Sequence, residues 1–158
     1  MFRSLWTDYL SPILRRPPRY QVAALCWRAG ESGIEILLLT SRGTGRWVLP
    51  KGWPKTGLDA EDTAREEAWE EGGVTLAPEA RAIGRYTYAK RMRGGVPVHT
   101  EVDVFAFRLV AQSDDFPEAS ERTRRWIAPA EAADMVDEPD LATLLRGVEP
   151  RLRGLQDL

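Results

Sequence analysis

The chain has 158 residues, a length that favours one domain. Apolar residues make up 43% and charged residues 29%, a balance that supports a packed core and excludes a disordered chain. The net charge of −2 gives no global basic field for nucleic acid, and a lone cysteine (Cys26) and a lone histidine (His99) exclude disulfide staples, cysteine-based zinc sites and multi-histidine metal sites.

The first 14 residues carry Leu5, Trp6, Leu10, Ile13 and Leu14 but no continuous apolar run or small-residue cleavage site. They read as a short amphipathic helix packed on the domain. No stretch approaches the roughly 20 apolar residues of a membrane span, so a cytoplasmic protein is expected. Arg15-Arg16-Pro17-Pro18-Arg19 breaks any helix and marks the domain entry. The expected organisation is an extension at 1–18, a domain at 19–150 and a tail at 151–158.

Residues 20–28 and 34–40 read as strands joined by a turn at Gly30-Glu31-Ser32-Gly33, hence a hairpin. Cys26 falls in the first apolar run and reads as a buried core thiol. A loop at 41–46 leads to a short strand at 47–49, which Pro50 stops, and a second loop follows at 51–58. Residues 59–72 form the clearest helix: Asp59 can cap it and Gly72-Gly73 stops it. Strands are expected at 80–90, 98–110 and 122–127, with a basic loop at 91–97 and helices at 129–136 and 140–148. The mixture predicts an α/β or α+β architecture, with a mixed sheet covered by helices.

The chemistry concentrates around the helix at 59–72. Glu67, Glu70 and Glu71 fall within a roughly 100° arc of it. Carboxylates on one stripe repel unless a positive charge sits among them, and such oxygen-rich clusters suit Mg²⁺ or Mn²⁺. Solvated acidic helix faces are common, but here Ala60, Ala64 and Ala68 lie beside the stripe, which therefore borders the buried side. The glycine-containing loop before the helix can bring bare backbone close to a ligand. Trp69 lies about 150° from the middle of the stripe and reads as packing.

From Gly52 to Val74 the sequence resembles the motif of the Nudix hydrolase family. That motif is Gly, five residues, Glu, seven residues, then Arg-Glu-apolar-any-Glu-Glu-any-Gly-apolar. Gly52, Glu67, Ala68, Glu70, Glu71, Gly73 and Val74 fall in register; Leu58 stands in place of the first Glu and Glu66 in place of the Arg. Arg65 is adjacent but about 100° round the helix, an imperfect substitute. Residues 41–54, Ser41-Arg42-Gly43-Thr44-Gly45-Arg46-Trp47-Val48-Leu49-Pro50-Lys51-Gly52-Trp53-Pro54, and Arg124-Arg125-Trp126 are similar to the branch that hydrolyses diphosphoinositol and diadenosine polyphosphates.

The resemblance implies a mixed sheet sandwiched between helices, with the motif as a loop–helix–loop. It implies Mg²⁺ or Mn²⁺ held by Glu67, Glu70, Glu71 and the Gly52 carbonyl, and hydrolysis of a pyrophosphate bond. The catalytic set is Glu67 and Glu70, with Glu101 and Asp103 as later-strand candidates for the base that takes a proton from water. Arg42, Arg46 and Lys51, with Lys55, Arg91 and Arg93, are the candidate phosphate contacts, because guanidinium forks match phosphate oxygens. Only three of the 22 basic residues are lysines, so coding bias also explains arginine-rich loops. Trp53 and Tyr88 are weaker candidates for stacking on a base. The expected partner is a small-molecule polyphosphate, with no nucleic acid or membrane, bound by a monomer or homodimer. The alternative is a Nudix-fold binding module with little turnover, against which the retained Glu67, Glu70 and Glu71 argue.

Overall fold

The run from Val22 to Trp27 is apolar throughout because both of its faces are covered. In the computed structural model β1 (Arg19–Gly30) is the middle strand of one mixed sheet. The others are β2 (Gly33–Thr40), β3 (Trp47–Val48), β4 (Lys51–Gly52), β5 (Val74–Arg91), β6 (Pro97–Gln112) and β7 (Arg124–Ile127). β1 and β2 form the expected antiparallel hairpin, closing at Gly30↔Gly33. β6 runs parallel to β1, from Arg19↔Thr100 to Trp27↔Arg108. Antiparallel pairing places β3 and β7 on β2, β4 on β1 and β5 on β6. The structure describes residues 19–91 and 95–156, without the side chains of 90 and 91. The expected N-terminal helix and Arg93, and the Arg91 side chain, lie outside them.

Among the described residues three helices complete the two covering layers: α1 (Ala60–Gly72), α2 (Pro129–Met135) and α3 (Pro139–Gln156). Alternation along β2 sends Ile36 and Leu38 into one core with Ala132, Leu141 and Leu145 of α2 and α3. Leu37 and Leu39 enter the opposite core with Ala64 and Ala68 of α1. The sheet is therefore sandwiched between helices, as expected. Cys26 is fully buried on the α1 side, where burial pushes its thiol well above the ordinary range.

Two elements run furthest past their expected ends. β5 begins at Val74 rather than 80, because register shifts at Thr75/Leu76 and Leu76/Ala80 carry the strand past Pro78, which has no amide to pair. α3 continues past Pro150 to Gln156, burying Leu152 in line with Leu141, Leu145 and Val148. Pro150 lies on the exposed side, where water can satisfy the carbonyl it leaves unpaired. Among the described residues no helix is long and apolar enough to cross a membrane.

Candidate active site

The Asp59 side chain accepts from the Asp62 amide at 2.7 Å and starts α1. The helix packs on the sheet through Thr63, Ala64, Glu67, Ala68, Glu71 and Gly72. Glu67 and Glu71 are thus 8% and 7% exposed, while Glu70 stands at the edge. Because the carboxylate stripe is itself on the buried face, Trp69 on the far side is 39% exposed, which corrects its reading as packing. β4 lays the Gly52 backbone against Glu67 so closely that a Cβ there would collide with the carboxylate.

Gly73 ends α1 at φ 66°, donating to the carbonyls of Ala68 and Trp69. A side chain on it would also meet Phe116 and the Ser113 carbonyl. The loop at 113–123 closes over this helix end, with the Ser113 amide donating to Gly73 O at 2.8 Å and the Glu118 amide to Glu70 O at 3.0 Å. That closure brings in two residues that local spacing did not reveal, Glu118 and Arg122. The Arg122 side chain is 7% exposed; its Nη2 lies 3.4 Å from Glu71 and 3.1 Å from Glu118, and its Nη1 donates to Thr40 O at 3.1 Å. Glu71 also accepts from the Lys51 amide at 3.3 Å.

Burial pushes Glu71 up to about 8; Arg122 opposes the rise, and Glu67 adds to it. Lys55 is held above its ordinary value: burial works against its charge, but Glu70, Glu67 and Glu66 outweigh it. The raised Glu71 sets a pH dependence in chelator. The folded chain keeps a proton that the unfolded chain releases near 4.5, so stability falls as pH rises from about 5 to about 8 and levels off above. Thermal denaturation in EDTA across that window checks the sign, and Glu71→Gln should flatten the slope.

These groups open on a cavity of about 880 Å³. Gly52, Glu67, Glu70, Glu71 and Glu118 line it together with Arg42, Arg46 and Lys51, and with Trp53 and Tyr88. Each basic residue is engaged. Arg42 faces Glu118 and Glu121 at 3.3 and 3.6 Å, and Arg46 donates to buried Glu138 at 2.9 Å. The Lys51 ammonium lies 5.4 Å over the Tyr88 ring, whose hydroxyl donates to Gln21 at 2.6 Å. Lys55 lies among the carboxylates rather than with the other basic residues, its Nζ at 3.1, 3.1 and 3.0 Å from Glu66, Glu67 and Glu70.

Glu101 and Asp103 share a strand face, as expected, but the structure does not bring them to this cavity. Arg85 takes both, at 3.0 and 2.7 Å, and Tyr20 donates to Asp103 at 2.6 Å. Arg85 holds the Asp103 carboxyl below its ordinary range.

The carboxylate oxygens of Glu67, Glu70 and Glu71, beside backbone at Gly52, have the donor chemistry of a hard divalent cation. Among the described residues no three such side chains are gathered as a metal cage; the Lys55 ammonium lies on Glu67 and Glu70, and the Arg122 guanidinium on Glu71.

The family model described as the NUDIX domain matches residues 18–148. The chain belongs to the Nudix family. Among curated Nudix relatives, Nudix hydrolase 4 of Arabidopsis thaliana is 31% identical over 102 residues, which are 65% of this chain and 47% of the relative. Nudix hydrolase 21, chloroplastic, of the same plant is 29% identical over 110 residues, 67% and 52%. The chain spans about half the length of these relatives. In structure it is similar to the NUDIX domain of Shewanella oneidensis NrtR, solved with ADP ribose: TM-score 0.66, 18% identity, 96% of this chain and 99% of that one. It is similar also to a C. elegans Ap4A hydrolase in a binary complex: TM-score 0.64, 22% identity, 85% and 98%. At these identities the two structures establish a shared Nudix fold.

Within the Nudix motif the two departures have physical outcomes. Leu58 is 36% exposed. Arg65 does not stand in for the motif arginine, since it donates to the carbonyls of Leu76, Ala77 and Pro78 at 3.2, 2.7 and 2.9 Å. The guanidinium on the Nudix carboxylates comes instead from Arg122.

Proposed function

We propose that the chain hydrolyses a pyrophosphate bond in a phosphate-rich small molecule, with Mg²⁺ or Mn²⁺ at Glu67, Glu70, Glu71 and Gly52. The observation that carries this is one cavity lined both by an acidic helix face and by Arg42, Arg46 and Lys51. A pyrophosphate is slow to break because its own oxygens repel the nucleophile, so catalysis needs positive charge and positioning. When bound, the divalent cation supplies charge to the phosphoryl oxygens and acidifies water. Arg42, Arg46 and Lys51 orient the rest of the phosphate chain.

A carboxylate must take the proton as the water oxygen forms its bond to phosphorus and the bridging P–O bond breaks. Glu118 is the later-loop carboxylate that lines the cavity, and Arg122 and Arg42 fix it there. Glu118→Gln is expected to lower kcat by about 10²–10⁴-fold while KM changes little; steady-state kinetics check the split.

The cavity volume lies within the roughly 300–1,000 Å³ range of small-molecule sites. Trp53 and Tyr88 beside the basic residues favour a substrate that carries a base, so dinucleoside polyphosphates rank ahead of diphosphoinositol polyphosphates. The test is product analysis with Mg²⁺ on diadenosine polyphosphates, diphosphoinositol phosphates, ADP-ribose and nucleoside triphosphates. Preferential turnover of the first class supports the reading, and preference for either of the last two replaces it.

A further inference from the structure

The two departures from the motif change its charge. Leu58 removes a carboxylate, and Glu66 puts a carboxylate where a cation belongs. The turn that lacks the glutamate also supplies a cation: the Leu58 amide donates to Lys55 O at 3.1 Å, with Gly57 at φ 84° between them. The Lys55 ammonium lies 3.1 Å from Glu66 Oε1, 3.1 Å from Glu67 Oε1 and 3.0 Å from Glu70 Oε1. Three protons meet three carboxylates. Glu71 is apart from this group, held by Arg122 and the Lys51 amide.

We propose that Lys55 is a tethered cation of this site: its ammonium takes a cation position among Glu66, Glu67 and Glu70 and limits the carboxylates to one divalent ion before substrate binds. The proposal rests on reading Glu67, Glu70 and Glu71 as the divalent-cation site. Charge balance carries it further. The carboxylates of Glu66, Glu67 and Glu70, set against the Lys55 ammonium that touches all three, leave a charge that one divalent ion cancels. Glu66 is the anchor, because it bonds the ammonium from a position the motif does not use for metal. A second divalent ion would have to displace the ammonium from Glu67 and Glu70, oxygens it already holds at contact distance.

Mn²⁺ titration without substrate, read from the free-ion electron paramagnetic resonance signal, tests this directly. The native chain is expected to bind one Mn²⁺, and two or more overturn the proposal. Lys55→Met should bind one Mn²⁺ more, or hold the first about tenfold tighter or better, since a like charge beside the ion is gone. Lys55→Arg should behave as the native chain. Circular dichroism confirms that each variant is folded, and the native count stands as a test even if Lys55→Met is not. Native and Lys55→Met curves that coincide overturn the role of Lys55 while leaving the metal site intact. No Mn²⁺ binding by either chain overturns the metal reading, and the proposal with it.

Discussion

Glu70→Gln is expected to lower turnover by about 10²–10⁴-fold while leaving the fold intact, because it removes one charge from the centre and almost nothing from the core. The Glu70 side chain is 34% exposed and meets the Lys55 ammonium at 3.0 Å. Ion pairs this exposed are worth about 0–1 kcal/mol, so the loss of folding stability should stay within about 1 kcal/mol. The amide keeps the shape of the side chain and its place on α1. It cannot offer the negative oxygen that a divalent cation requires. Parallel measurement of kcat and of the denaturation midpoint separates the two effects. Equal activity in Glu70→Gln would remove this carboxylate from the reacting centre.

Arg122→Leu should act in the opposite way, on stability first. Its side chain is 7% exposed, and its guanidinium serves Glu71, Glu118 and the Thr40 carbonyl together. Breaking a buried pair from one side costs about 3–5 kcal/mol, a large part of the roughly 5–15 kcal/mol that holds a domain folded. An exposed pair such as Arg153–Glu149, by contrast, contributes about 0.3–0.5 kcal/mol. The loss should also grow with pH. Glu71 titrates at about 8, so below that value it can shed its charge by keeping a proton. Above it, the native chain gains from Arg122 an attraction that the variant lacks. Denaturant unfolding at pH 6 and pH 9 measures both numbers, and a loss below about 1 kcal/mol at pH 9 would refute the buried-pair account.

Much of the site was legible because its residues are close in sequence. Helical spacing alone puts Glu67, Glu70 and Glu71 on one stripe, and the alanines beside them place that stripe at the sheet. The same logic misplaced Trp69, because a carboxylate stripe was not expected to be the buried face itself. Arg122 and Glu118 were not legible. They reach the helix end through a loop whose closure depends on Gly73 adopting a left-handed turn under Phe116, a contact that no local pattern encodes. Glu101 and Asp103 illustrate the converse. Period two put them on one face correctly, but only the pairing of β5 with β6 reveals Arg85 across from Asp103. Pro78 and Pro150 lie inside elements that run past their expected ends. Each is accommodated, one by a register shift and one by solvent.

The central claim is that this carboxylate cluster supports metal-dependent cleavage of a pyrophosphate bond. Its most direct test is product release from a diadenosine polyphosphate by the native chain, first with Mg²⁺ and then with excess chelator. The account predicts steady turnover with Mg²⁺ and its loss in chelator, restored when Mg²⁺ is added back. Turnover that persists in chelator, or none at any Mg²⁺ concentration on any polyphosphate with the protein folded, would contradict it.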